Sequence, residues 1–95
     1  MKVKFRDVGS GSVQARATIE IKEGVFLNEV TILEKRGKLI VEFPQKSFKG
    51  KDNRMHYFDI ITFADEDKKE IWVLEIIDKY KQWRQENKKV LVYTP

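Results

Sequence analysis

The residues with the clearest chemical potential are four cations grouped around one aromatic ring in the segment 46–54. The cations are Lys46, Lys49, Lys51 and Arg54. Phe48 lies among them, and Asp52 is the one acid of the segment. Such cations neutralise phosphates and release counterions, and an exposed aromatic ring stacks on an unpaired base. The segment therefore predicts polyanion binding, with an ordinary solvated loop whose phenylalanine packs on the core as the alternative.

The position of the charges along the chain is more informative than their total. The 95 residues carry a formal net charge of +4. Residues 1–54 hold twelve basic and seven acidic side chains, whereas residues 55–95 hold seven basic and eight acidic ones. The basic excess thus lies in the first part of the chain, where Arg16 and the turn residues 35–38 are further candidates for the same surface. This distribution is compatible with a nucleic-acid partner.

Other kinds of chemistry find little support in the sequence. His56 is the only histidine and cysteine is absent, which excludes multi-histidine metal sites, thiolate sites and cysteine nucleophiles. The five glycines match no phosphate-binding spacing such as GxxxxGK or GxGxxG. The acidic run at residues 65–67 is explained by the start of a helix. We expect no enzymatic activity, no metal and no cofactor, and we interpret His56 as an ordinary strand residue.

Alternation of apolar and polar residues predicts the strands that position these side chains. In Val13–Ile21 every odd position is apolar and every even position is polar, which is the pattern of a strand with one buried face. The expected strands are Val3–Val8, Val13–Ile21, Val25–Leu33, Leu39–Phe43 and Met55–Ile61. Short turns join the first four into an antiparallel meander, and Pro44 ends the fourth. Residues 45–54 are predicted to form a polar loop.

A change of period after residue 64 predicts a helix of about 20 residues. Acidic residues 65–67 open this helix, with Asp67 and Glu70 spaced as a capping box. Its apolar stripe consists of Val73, Ile76, Ile77, Tyr80 and Trp83. After the helix, Val90–Tyr93 is expected to add a short terminal strand.

These elements predict an α+β fold in one domain that spans residues 1–95. An antiparallel meander of four to five strands is packed by one long C-terminal helix. The third strand carries apolar residues on both faces, since Phe26, Val30 and Ile32 are expected on one face and other leucines on the second. One helix is narrow for such a sheet, and an exposed apolar face or strand edge invites association. We therefore expect a homodimer that forms through the sheet.

The sequence contains no recognisable membrane or export segment. No apolar run approaches the ~20 residues that span a bilayer. Residues 1–10 include basic side chains but no apolar segment typical of a signal peptide. The absence of cysteine suits a reducing compartment. We expect a cytoplasmic protein without a membrane partner.

Several apolar and basic positions form an ordered pattern along most of the chain. They are Ala15–Ile21, Phe26, Val30, Ile32, Gly37–Lys46, Asp59, Ile60, Ile76, Ile77 and Tyr80. In order and spacing this pattern resembles the SpoVG family, small bacterial proteins described as stage V sporulation protein G or septation regulators. The resemblance implies a compact α+β domain that dimerises through its sheet. It also implies binding of DNA or RNA in the regulation of gene expression, without enzymatic activity.

The chain departs from the family pattern close to the basic segment. Lys46 matches the first member of the basic pair that follows the proline in the family, but the second position is Ser47. The loop that follows is longer here and adds three cations. Thr62-Phe63 replaces the His-Pro of the family, and Lys88-Lys89 stands where relatives carry acidic residues. Positive charge at this place is thus kept or increased.

A second class of function fits the same sequence. A protein-interaction module of the cell-division or regulatory machinery would use strand edges to accept a partner strand, without specific nucleic-acid binding. The two hypotheses differ in whether partners persist once nucleic acid is removed. The dimeric nucleic-acid-binding regulator is the leading hypothesis. Its expected binding residues are Lys46, Lys49, Lys51, Arg54, Phe48 and Arg16.

Overall fold

A computed structural model describes the backbone of residues 1–92 and the side chains of residues 1–87. Six strands and one helix follow one another along the described residues. They are β1 (Lys2–Ser10), β2 (Val13–Lys22), β3 (Val25–Lys35), β4 (Lys38–Glu42), β5 (Gln45–Lys49), β6 (Met55–Asp59) and α1 (Glu66–Val92). β1 to β4 form one antiparallel sheet in sequential order, and β5 and β6 form a separate antiparallel pair. The predicted α+β class, a meander packed by a C-terminal helix, is confirmed.

The predicted polar loop at residues 45–54 is wrong for its first half, because Gln45–Lys49 form β5, which pairs with β6 in a hairpin. Only residues 50–54 form the turn between the two strands. Every side chain of β5 is exposed. A strand without a buried face carries no alternation of apolar and polar residues, so the sequence contained no period-two signal for it.

The predicted terminal strand at Val90–Tyr93 is also wrong for the residues that the structure describes. Val90–Val92 belong to α1, which is 27 residues long and thus longer than predicted, and Tyr93 lies outside the described residues. No glycine or proline occurs between residues 66 and 92. The sequence therefore contains no helix-breaking residue that would end the helix before Val90. Among the described residues, no helix combines the length and the apolar character needed to cross a membrane.

One face of the four-stranded sheet, here called the inner face, is buried under α1. Its buried side chains are Ala15, Ala17, Ile19, Val30, Ile32 and Val41. Ile76 and Tyr80 of the helix complete this core, and Val73, Ile77 and Trp83 pack against it partly buried. The alternation predicted for β2 is confirmed at Ala15, Ala17 and Ile19 but not at its end, where Ile21 is 50% exposed. The apolar stripe predicted for the helix is confirmed.

A β-bulge in β3 decides which of its residues reach the inner face. Glu29 has a positive φ of 62°, and the pairing of β2 with β3 shifts register beside it. Because a bulge inserts one extra residue, Leu27 packs against the core while Phe26 turns to the other face and is 48% exposed. The prediction that Phe26 shares a face with Val30 and Ile32 is therefore wrong.

The first turn of α1 is capped by one carboxylate. The Asp65 carboxylate accepts a hydrogen bond from the backbone N–H of Lys68 at 2.9 Å, which is the geometry of an N-cap residue. Glu66 and Asp67 add negative charge at the positive end of the helix dipole. The cap is thus Asp65, two residues before the Asp67 that the predicted capping box assigned to this position.

Aromatic groups hold the first and middle parts of the helix on the sheet. Near its start, the rings in contact are those of Phe43, Phe63 and Trp72. Further along, Phe5 contacts Tyr80 and Trp83 with ring centroids 5.7 and 5.5 Å away. The Arg84 guanidinium donates hydrogen bonds to the Tyr80 hydroxyl at 2.9 Å and to the Asp7 carboxylate at 3.2 Å. Partial burial lowers the pKa of Arg84, but the bonds to Tyr80 and Asp7 outweigh it and leave that pKa above its ordinary value.

Alanine substitution at Ile76 tests the packing of α1. Ile76 is fully buried, whereas Ile71 on the same helix is 61% exposed. We expect Ile76→Ala to lower the free energy of unfolding by about 2–5 kcal/mol, because it leaves a cavity in the core. Ile71→Ala, the matched control, is expected to change it by less than about 0.5 kcal/mol. Urea denaturation measures both, and equal effects would contradict the assignment of the buried stripe.

Candidate nucleic-acid interface

The hairpin of β5 and β6 holds five of the six predicted binding residues. Lys46, Phe48 and Lys49 lie on β5, Lys51 lies in the turn, and Arg54 immediately precedes β6. All five side chains are exposed. The backbones of these two strands lie close to each other and to no other described strand or helix. Phe48 is 43% exposed and therefore does not pack on the core, which was the alternative left open by the sequence.

Alternation along the two paired strands divides the hairpin into two faces. One face, here called the ring face, carries Lys46, Phe48, His56 and Phe58. The opposite face carries Ser47, Lys49, Met55 and Tyr57. Lys46 and Lys49 therefore point to different sides, and the four cations surround the hairpin instead of forming one row.

Three rings on the ring face form a stacked column, here called the ring column. Phe48 is the middle ring, with its centroid 5.1 Å from that of His56 and 5.3 Å from that of Phe58. The ring planes are inclined by only 19° and 3° in the two pairs. Phe58 is 56% exposed, so a large part of its surface meets solvent. Parallel rings with this exposure form a platform on which a further flat ring can stack.

The turn at residues 50–54 is organised around Asp52. The Asp52 carboxylate accepts a hydrogen bond from the backbone N–H of Arg54 at 3.1 Å, and it lies 3.1 Å from Nε2 of His56. Gly50 leaves room for this arrangement, since a β-carbon at that position would lie 2.7 Å from the His56 ring nitrogen. The Gly50 backbone N–H also donates to the Arg54 carbonyl at 2.9 Å. The turn therefore holds His56 in place at one end of the ring column.

The carboxylates of the hairpin are committed to local hydrogen bonds. The bond with His56 and, after it, the bond from Arg54 hold the pKa of Asp52 below its ordinary value. Asp59, the other acid, accepts a hydrogen bond from the Gln45 side chain at 2.8 Å. Among the side chains of residues 1–87, none forms an ion pair with the four cations of the hairpin. Their positive charge therefore faces solvent.

Arg16 is the predicted binding residue that lies apart from the ring face. It is half-buried on the outer face of the four-stranded sheet, where it donates a hydrogen bond to the Thr31 hydroxyl. Its guanidinium also lies 3.9 Å from the Glu29 carboxylate. The cleft beside Arg16 is lined by Ser47 and Tyr57 from the opposite face of the hairpin. Arg16 thus extends the surface around Tyr57 and does not contribute to the ring column.

Sequence reasoning missed His56 and Phe58 as members of the site. Both were assigned to a strand, but their relation to Phe48 depends on the pairing of that strand with β5. The register places positions 48, 56 and 58 on one face, with the turn at residues 50–54 between them. Because residues 45–49 were expected to be a loop, no register was available from which to infer the ring column.

Comparisons with known proteins assign no function to this hairpin. No family model matches the chain, and no curated protein and no solved structure matches it either. The resemblance to the SpoVG family thus stays a prediction from sequence. Within the described part of the chain, no group of three or more histidine, aspartate or glutamate side chains is placed to hold a metal ion.

Titration of Asp52 tests the geometry of the turn. We expect its pKa, followed by carboxyl carbon NMR, to lie below the usual value of about 3.9 and to rise toward it in His56→Ala. The contribution of Asp52 to stability is present above the unfolded-state pKa and is lost as the pH falls through the lower folded-state pKa. An Asp52 pKa that is ordinary in the wild type, or unchanged in His56→Ala, would contradict the contact between the two side chains.

Proposed function

We propose that this chain is a SpoVG-like dimeric regulator that binds DNA or RNA through the hairpin of β5 and β6. We further propose that it acts in the cytoplasm on gene expression connected with septation or sporulation. The observation that carries the binding proposal is one hairpin on which four exposed cations surround an exposed ring column. The regulatory role rests on the sequence resemblance.

The electrostatics of the hairpin support a phosphate-bearing ligand. Four cations face solvent, and both carboxylates of the hairpin are engaged within it. Each lysine or arginine that neutralises a phosphate releases condensed counterions, and this release drives binding at low salt. The cations lie on both faces of the hairpin and in its turn. The sugar-phosphate backbone of a nucleic acid that wraps around the hairpin would therefore contact positive charge along its path.

A homodimer is part of this proposal. β1 and β4 are the edges of the four-stranded sheet, and edge strands present backbone groups that pair readily with another strand. On the outer face of the sheet, Phe26 and Ile40 are 48% and 38% exposed. A second copy that covered these two side chains would place two hairpins on one assembly, which strengthens binding to a long polyanion through multivalency.

A protein-interaction module of the division or regulatory machinery is the second candidate. Met55 and Tyr57, on the opposite face of the hairpin, are 51% and 63% exposed, and exposed apolar patches mark protein contacts. A pull-down with and without nuclease separates the two candidates. Protein partners that persist after nuclease treatment, together with no oligonucleotide binding, would favour the interaction module.

The salt dependence of oligonucleotide binding tests the role of the cations. We expect log affinity to fall linearly with log salt, and Lys46→Ala to make the slope shallower by about one unit. Lys81→Ala, which removes an exposed lysine from α1, is the matched control and is expected to leave the slope unchanged. Fluorescence anisotropy titrations measure both. An affinity that does not change with salt concentration or with the Lys46 substitution would contradict the proposed interface.

The mass of the protein in solution tests the dimer. One chain has a mass of 11.3 kDa. We expect light scattering coupled to gel filtration to give twice this mass at tens of micromolar protein, because the exposed Phe26 and Ile40 side chains and the strand edges favour self-association. The mass of a single chain at that concentration would refute the dimer.

A further inference from the structure

We propose that the ring face of the hairpin selects single-stranded nucleic acid, by stacking unpaired bases on the ring column while Lys46 neutralises a neighbouring phosphate. This inference rests on the proposed function and specifies its ligand. The proposed function requires only that cations meet phosphates, which duplexes and single strands both carry. The ring column adds a requirement for exposed base faces, which single strands supply.

The geometry of the ring column matches that of stacked bases. Phe48 lies between His56 and Phe58 with nearly parallel ring planes. A base that stacks on an end ring therefore continues the column without any rearrangement of the three rings. Stacking of bases on aromatic side chains of strands is also the way in which the four-stranded sheets of RNA-recognition domains bind two or three bases.

Duplex nucleic acid is poorly suited to the same rings. Inside a duplex each base face is covered by the neighbouring base pairs, and the grooves present base edges, sugars and phosphates instead. Hydrogen bonding reads those groups, and the phenylalanine rings of the column have no polar atom that could take part. The exposed ring column therefore favours strands whose bases are unpaired.

The ring column is held in place before any ligand binds. Phe48 stacks on both of the other rings, with centroids 5.1 and 5.3 Å away. His56 is fixed by its contact with Asp52 and by the close approach of Gly50. A platform that is already ordered loses little conformational entropy on binding, which raises affinity.

Cations lie at both ends of the ring column. Lys46 is paired with Phe58 at the end near the sheet, and Lys51 and Arg54 lie in the turn next to His56. A strand that follows the rings thus meets positive charge where it enters and where it leaves. This charge complementarity favours a polyanion with flat apolar groups over an uncharged apolar partner.

Two adjacent residues of β6 provide a matched test. Phe58 and Tyr57 are both exposed, but they lie on opposite faces of the hairpin. Binding is measured by fluorescence anisotropy with labelled oligothymidine and with a blunt-ended duplex. We expect Phe58→Ala to weaken oligothymidine binding by about tenfold and duplex binding by less than about twofold. Tyr57→Ala is expected to leave both within about twofold, and Phe58→Trp to retain the wild-type preference.

An abasic oligonucleotide of the same length separates stacking from charge. It keeps the phosphates but offers no bases, so the wild type is expected to bind it about as weakly as Phe58→Ala binds oligothymidine. Phe58→Ala is expected to bind the abasic strand as the wild type does. Circular dichroism checks that each variant is folded, and Phe58→Leu, which keeps an apolar side chain, replaces Phe58→Ala if the latter does not fold.

The outcomes distinguish this inference from the function on which it rests. If Phe58→Ala binds oligothymidine as the wild type does, or if Tyr57→Ala weakens it equally, stacking on the ring column is overturned. Salt-dependent binding whose slope becomes shallower in Lys46→Ala would then leave the proposed function standing. If neither oligothymidine nor duplex binds the wild type, the proposed function fails and the inference fails with it.

Discussion

The structure of this molecule depends on one packing interaction, the burial of one face of the sheet under a single helix. Ile76 and Tyr80 close the inner face of the sheet, and Arg84 joins the helix to β1 through Asp7. Because α1 packs on that face alone, Phe26 and Ile40 of the outer face stay exposed, and β1 and β4 are the edge strands of the sheet among the described residues. The hairpin of β5 and β6 also lies outside this packing. The proposed dimer surface and the proposed binding surface both lie outside this packing.

The hairpin is stabilised by different interactions from those of the sheet. It has no buried face, so its order comes from backbone pairing, from the ring column and from the hydrogen bonds around Asp52. An isolated two-stranded hairpin is marginally stable in water, and stacked cross-strand rings contribute to its stability. The same rings are the proposed platform for bases. Stability and binding are therefore coupled in this hairpin, and variants such as those at Phe58 require a test of folding.

The elements that have one buried face were predictable from the sequence, and those without one were not. The alternation of β2 and the stripe of α1 arise from burial, so they appear as periods of two and 3.6. The bulge at Glu29 places Leu27 in the core. It depends on a positive φ at a glutamate, which the sequence pattern does not predict. The four cations of the hairpin were found because a charge cluster is visible in any conformation. Their ring partners were missed because His56 and Phe58 meet Phe48 only through the strand register.

NMR titration of the isotope-labelled protein with a short oligothymidine decides whether the hairpin is the binding surface. If it is, the backbone amide signals that shift belong to residues 45–59, with the largest shifts at Phe48, His56 and Phe58. Signals from buried residues of the inner face, such as Ile19 and Ile32, are then unchanged. Shifts that are confined to α1 or to the outer face of the sheet, with an unperturbed hairpin, would contradict the assignment of this surface to nucleic-acid binding.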